Sequence, residues 1–222
     1  MHLSKLVSAA LIATAFAATP ALAQESATLK KAKETGALTL GHRESSIPFS
    51  YYNDQQQVIG YSHELMMKAV DGVKEQLKLA KLDTKLMPVT SANRITLVQN
   101  GTVDIECGST TNNLERQKQV GFSTTMFIIG TRLMTKKDSG IKDFPDLAGK
   151  NVVTTAGTTS ERLLRKMNEE KSMGMNIISA KDHGESFLTL ETGRAVAFMM
   201  DDALLYGELA KAKKPGDWIV TG

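Results

Sequence analysis

Three arginines, one histidine and one aspartate carry the chemistry this chain can offer: Arg43, Arg94, Arg116, His183 and Asp201, with the hydroxyls of Ser91, Ser109, Thr111 and Thr159 close by in sequence. A guanidinium is a planar, two-pronged donor that suits a carboxylate. Helix starts expose free backbone N–H groups and favour anions in the same way. A single acid among these cations suits an ammonium. Together they describe a guest with two carboxylates and one ammonium. Asp201 suits the ammonium, Arg116 and the helix starts suit one carboxylate, and Arg43, Arg94 and His183 are left for the other. The sequence has no nucleophile–base pair, no metal-ligand spacing and no phosphate loop, so binding without cofactor or metal is expected rather than catalysis.

The elements that must position these residues recur along the chain. Thr102-Val-Asp-Ile105 reads as a strand entered from the Asn100-Gly101 turn. It runs through Glu106-Cys-Gly into Ser109-Thr-Thr-Asn112, where Asn112 and Glu115 have capping-box spacing for a helix that carries Arg116. Leu38-Thr-Leu40 is a strand that ends near Arg43, at the carboxyl end where open α/β sheets place ligands. Lys85 to Val89 is a second strand leading to Ser91, a candidate N-cap that would put Arg94 at the third helical position. A cation there opposes the helix dipole at a cost of about 0.3–1 kcal/mol, which makes sense if an anion comes to meet it.

After the long β-prone run Met126 to Met134, read as one strand leaving one sheet and entering another, the pattern restarts. Asn151 to Thr155 is a strand, followed by Thr158 and Glu161 in capping-box register with Thr159 at the helix lip. Asn176 to Ser179 is a strand, Asp182 caps the next helix, and His183 falls in its first turn. Ala195 to Met200 is a buried strand that stops at Asp201-Asp202, where one aspartate can cap and the other face a ligand. Ala27 to Thr35 and Ser62 to Leu79 are helices, the second with Leu65, Met66, Ala69, Val70, Val73 and Leu77 in one core stripe. Pro48 to Tyr52 reads as an aromatic loop. The junctions Val98-Gln-Asn-Gly101 and Leu190-Glu-Thr-Gly193 match, which supports two related α/β lobes.

Residues 1–23 have the form of a secretory signal peptide: Lys5 in a short positive start, an apolar run from Leu6 to Ala18, and an Ala-x-Ala end at Ala23. Removing Lys5 leaves 26 basic against 24 acidic residues over 199 residues. That near-neutral balance argues against nucleic acid. The only cysteine is Cys107.

The runs Gly41-His-Arg-Glu-Ser-Ser-Ile-Pro-Phe-Ser-Tyr-Tyr52, Glu106-Cys-Gly-Ser-Thr-Thr-Asn-Asn112, Lys181-Asp-His183 and Gly193-Arg-Ala-Val-Ala-Phe-Met-Met-Asp-Asp202 resemble the periplasmic glutamate/aspartate-binding proteins of ABC transporters. The resemblance implies an α/β, two-lobed periplasmic binding protein (type II, Venus-flytrap). Its parts would be a leader at 1–23, a first lobe at 24–128 and a second at 129–222. The implied guest is L-glutamate or L-aspartate. Its α-carboxylate would meet Arg116, Thr111 and the Thr159 turn, its ammonium Ser109 and Asp201, and its side-chain carboxylate Arg43, Ser91, Arg94 and His183. The implied partners are the membrane permease subunits of an ABC importer, and the implied state is a periplasmic monomer. Members of the family continue past Gly222 with a return strand and closing helices, so the first lobe is expected to be incomplete in this chain. Residues 24–222 alone are accordingly expected to aggregate and to bind glutamate poorly. The family's second cysteine lies in that further part, which makes Cys107 half of an expected disulfide. Two other readings share the fold: an exported dehydratase-like enzyme, disfavoured because no isolated carboxylic acid stands beside an apolar slot, and a sensory ligand-binding module, which would need an anchor.

Overall fold

The computed structural model describes residues 26–222, and the expected leader at 1–23 lies outside them. Helix α1 (Ala27–Thr35) begins where the Ser26 hydroxyl accepts from the Leu29 N–H and ends at Gly36. It leads into β1 (Ala37–His42), the centre of a parallel three-stranded sheet flanked by β5 (Asp83–Pro88) and β6 (Ile105–Glu106). The Pro48–Tyr52 segment is more than a loop. Strands β2 (Ser45–Ser46), β3 (Ser50–Tyr52) and β4 (Val58–Ile59) form a small antiparallel sheet, with strands too short to leave a period-two pattern in the sequence.

Helix α2 (Tyr61–Gln76) buries Met66 and Val70 against Leu38, Leu40 and Ala32, while Leu65, Val73 and Leu77 are only partly covered and Ala69 is exposed. The stripe is therefore half core and half surface. Helices α3 (Arg94–Gln99) and α4 (Leu114–Gln117) follow in the first lobe.

The second lobe is built on a five-stranded sheet of β7 (Thr131–Lys136), β8 (Asn151–Thr155), β9 (Asn176–Ala180), β10 (Ala197–Asp201) and β11 (Trp218–Thr221), in the order β11-β7-β10-β8-β9. Strands β8, β9 and β10 are parallel, and β7 runs antiparallel to β10 and β11. Successive side chains on a strand point to opposite faces, and the core divides accordingly. Met134, Val153, Phe198 and Met200 face one way, towards α6 (His183–Glu191) and α7 (Asp202–Lys211). Leu133, Val152, Ala197 and Met199 face the other, towards α5 (Thr159–Glu170). Phe49, from the first half of the chain, is buried within the first of these clusters, so the two lobes are packed together.

The run from Met126 to Met134 is not one strand, because regular pairing starts only at Thr131. Met126, Phe127 and Ile128 are 42 %, 51 % and 87 % exposed. No strand among the described residues pairs with this part, and β propensity alone does not hold an isolated strand. Phe127 instead stacks edge-on against Phe49 and Tyr61.

Candidate functional site

The first group of side chains gathers at the carboxyl end of the first sheet. Arg43 follows β1 directly and is almost wholly buried. Its backbone N–H donates to Ser50 Oγ and its Nη1 to Ser91 Oγ, both at 2.9 Å. Ser91 is thus a partner of Arg43 and not a helix cap. Thr90 and Asn93 close that turn reciprocally, and α3 starts at Arg94 itself. Arg94 is 2 % exposed. Neither its Nε and Nη1 nor Arg43 Nε has a hydrogen-bond partner among the described residues. Burial lowers the pKa of Arg43, and that of Arg94 to about 10; Glu106 is the foremost charge opposing this in both cases.

His183 opens α6 behind the Asp182 cap, as its spacing predicts. Its Nδ1 lies 2.9 Å from Thr155 Oγ1, Thr155 Oγ1 lies 2.8 Å from Ser186 Oγ, and the Ser186 hydroxyl donates to the Asp182 carbonyl at 2.8 Å. Three contacts need three hydrogens, and the Nδ1–H tautomer supplies all of them. The network therefore assigns the proton to Nδ1 and leaves Nε2, buried and without a partner among the described residues, as a bare lone pair. Burial holds the imidazole well below its ordinary pKa, with Arg43 and then Arg94 adding to the shift.

A second group bridges the lobes. Arg116 is carried by α4, whose cap is Asn113 rather than Asn112: Asn113 Oδ1 accepts from the Arg116 N–H. Glu115 is consequently free to pair with Arg162 of α5 across the cleft. Arg116 Nη1 donates to the Thr111 carbonyl at 2.9 Å and Nη2 to the Gly157 carbonyl of the opposite lobe at 3.2 Å. Burial pushes its pKa down to about 10, with Arg94 and Arg162 contributing. Thr111 Oγ1 and Thr159 Oγ1 are 3.3 Å apart. Gly157 has φ +76°, and a Cβ placed there would lie 2.4 Å from Ala92 Cα. Only a glycine lets the two lobes approach this closely.

Asp201 ends β10 and is 5 % exposed. Its Oδ1 accepts from the Ser160 hydroxyl at 3.1 Å, so that Asp201 stands at the N-cap position of α7 without a side-chain cap bond, while Asp202, the first helical residue, accepts from the Ala203 N–H. Burial raises the Asp201 pKa, against the pull of Ser160, Arg94 and Arg116. Ser109 Oγ donates to Ser46 Oγ at 3.2 Å. Ser109, Thr111 and Asp201 share a cavity of about 290 Å³. Ser91 and Arg116 line a second of about 240 Å³. Arg43, Arg94 and His183 line neither of these two and are buried.

All nine predicted side chains thus sit at the junction of the lobes. Ser160, which the sequence places with Thr159 at the helix lip, supports Asp201; sequence reasoning passed over the other supports Ser46, Ser50 and Thr155, and above all Glu106. Glu106 ends β6 as Asp201 ends β10, and the strand-end rule that selected Asp201 applies to it equally. Cys107 is half-buried and has no disulfide partner among the described residues; burial, then Glu106, pushes its thiol pKa up to about 12.

Residues 38–212 match the model of the bacterial extracellular solute-binding proteins, family 3. The chain is 66 % identical to an L-glutamate/L-aspartate-binding protein of Pseudomonas aeruginosa, covering 98 % of this chain and 72 % of that protein. It is 60 % identical to a glutamate/aspartate import solute-binding protein of Salmonella typhimurium, covering 100 % and 75 %. Among solved structures, an ancestral amino acid-binding protein described as a precursor of cyclohexadienyl dehydratase superimposes with a TM-score of 0.73 at 26 % identity, over 88 % of this chain and 81 % of that one.

Proposed function

The chain belongs to the bacterial extracellular solute-binding proteins of family 3, and on that premise we propose that it captures L-glutamate or L-aspartate between two lobes for delivery to an ABC importer. The observation that carries the guest is the set of buried, uncommitted donors on Arg43 and Arg94. A buried cationic donor left unpaired costs about 1–3 kcal/mol or more, and a carboxylate is the group whose geometry answers it. The side-chain carboxylate goes to Arg43, Ser91, Arg94 and His183. The α-carboxylate goes to Arg116, Thr111 and Thr159, and the ammonium to Ser109 and Asp201, whose raised pKa an ammonium would bring back down. Names borne by the close relatives support the same guest. The protein acts in the periplasm as a monomer and meets the permease subunits of the importer there, with the lobes divided near residues 128 and 129.

Binding rather than turnover is favoured by what surrounds Asp201: Ser160 donates to it, and Arg94 and Arg116 pull against the burial that raises its pKa, a setting suited to a counter-ion for an ammonium. The test is calorimetry on the full-length protein with L-glutamate, L-aspartate and L-glutamine. Glutamine should bind at least about tenfold more weakly, since an amide cannot satisfy both guanidiniums. Equal affinity for glutamine and glutamate would overturn the reading.

A further inference from the structure

We propose that Glu106 sets the charge of this site, so that a dicarboxylate is held tightly only if it also carries an ammonium; the inference rests on the dicarboxylic amino-acid reading above. Glu106 stands at the carboxyl end of β6, beside the two arginines assigned to the side-chain carboxylate. Its side chain lies over two glycines. A Cβ at Gly41 would sit 3.2 Å from Glu106 Cγ, and one at Gly108 would sit 2.9 Å from Glu106 Oε1 and 2.5 Å from Arg43 Cγ. The Arg43 stem and the Glu106 carboxylate therefore share the bare face of Gly108, a place that any larger residue would take from them. Oε2 accepts from the Thr110 hydroxyl at 2.6 Å, which fixes the carboxylate, while Oε1 is buried without a partner among the described residues.

Other acids are less well placed to do this. Asp182 and Glu44 act on Arg43 behind Glu106, but Glu44 is exposed and Asp182 caps α6. Before a guest arrives, three guanidiniums, Arg43, Arg94 and Arg116, stand against two carboxylates, Glu106 and Asp201, with His183 neutral, which leaves one net positive charge. A proton taken up by His183 with a side-chain carboxylate is common to every dicarboxylic guest and leaves the contrast between guests to Glu106. A dicarboxylic amino acid carries one net negative charge at neutral pH. A plain dicarboxylate carries two. Without Glu106 the site would attract such a molecule more strongly; with it, both guest carboxylates are repelled and only an ammonium recovers part of the loss.

The comparison that reads this is L-glutamate against glutarate, which has the same chain and two carboxylates but no ammonium. Calorimetry on the full-length wild type and Glu106→Gln, each checked for a cooperative thermal transition, gives the affinity ratio. Glutamine at 106 keeps an acceptor for Thr110 and removes only the charge. The preference for glutamate should narrow by about tenfold, mainly through tighter glutarate binding. Thr110→Val, which keeps the charge but releases the carboxylate, should narrow it by roughly two- to fivefold. A wild type that binds neither compound overturns the guest reading and this inference with it. A wild type that binds glutamate while folded Glu106→Gln keeps the same ratio overturns this inference alone. If Glu106→Gln does not melt cooperatively, an unchanged ratio in Thr110→Val has the same force.

Discussion

Arg94 and Arg116 carry the same charge, but their surroundings differ. Arg116 already donates to two carbonyls, one in each lobe, whereas Arg94 has Nε and Nη1 both uncommitted. Arg116→Ala should therefore weaken every α-amino acid guest alike, through lost α-carboxylate binding and a loosened bridge. Arg94→Ala should weaken the dicarboxylic guests and leave residual glutamine binding nearly unchanged. Titrating both variants with glutamate and glutamine gives the two profiles, and identical profiles would remove the division of labour proposed for the site. His183 adds a dependence on pH. Its Nε2 offers a lone pair to an incoming carboxylate, an unfavourable meeting unless a proton comes too. Glutamate binding near pH 7 should take up as much as about one proton, read from calorimetry in buffers of different ionisation heat, and His183→Asn should abolish the uptake. Zero uptake by the wild type would exclude the Nδ1–H assignment or the carboxylate's position. For the protein without guest the sign is fixed by the lowered pKa. Below the ordinary 6.5 the unfolded chain binds a proton that the folded one refuses, so stability falls as pH drops from 6.5 towards the folded value and is fully present above it.

At the scale of elements, the cleft closes where α4 and the turn before α3 meet the start of α5. The Glu115–Arg162 pair spans that rim, but both side chains are largely exposed. Such pairs contribute about 0–1 kcal/mol, too little to decide closure. Backbone proximity decides it. At Gly157 an added Cβ meets Ala92 main chain at 2.4 Å, which no rotamer change can relieve. Gly157→Ala should weaken glutamate binding by at least about tenfold, because the lobes can no longer seat, while the strain of an alanine at positive φ costs the fold only about 1–2 kcal/mol. Parallel calorimetry and thermal melts separate the two effects. Wild-type affinity in Gly157→Ala would show that the site works without this approach.

At the scale of the molecule, the two lobes are unequally buried among the described residues. The second has apolar clusters on both faces of a five-stranded sheet. The first has Ala32, Leu38, Leu40, Met66 and Val70 on one side of a three-stranded sheet, and β5 is exposed at every position except Met87. Amide protection follows burial and pairing. In a chain of residues 24–222, hydrogen exchange should therefore be slowest in β7, β8 and β10, and fastest in β5 and the stretch from Met126 to Ile128. Protection in β5 equal to that in β10 would contradict this ranking.

What the sequence determined by itself is local. Helix starts at Asp182 and Thr158 follow from capping spacing, since a side-chain oxygen three residues from a free N–H needs no tertiary help. The strand Asn151–Thr155 and the stop at Asp201 follow from β-branched or apolar runs bounded by polar turns. Residue chemistry also pointed to the nine side chains, because three arginines at successive element ends have few structural uses. Long-range contacts decided the rest. Ser91 has the residue type of a cap, but Arg43, 48 positions away, takes its oxygen instead. The cap at Asn113 rather than Asn112 leaves Glu115 for Arg162 of the other lobe. A strand at Met126–Gly130 needed a pairing partner, which propensity cannot supply. Glu106 gains its place only when the folded chain brings its carboxylate over Gly108 and beside Arg43, since an acid's effect on a site depends on distance and burial, and neither is written in spacing along the chain.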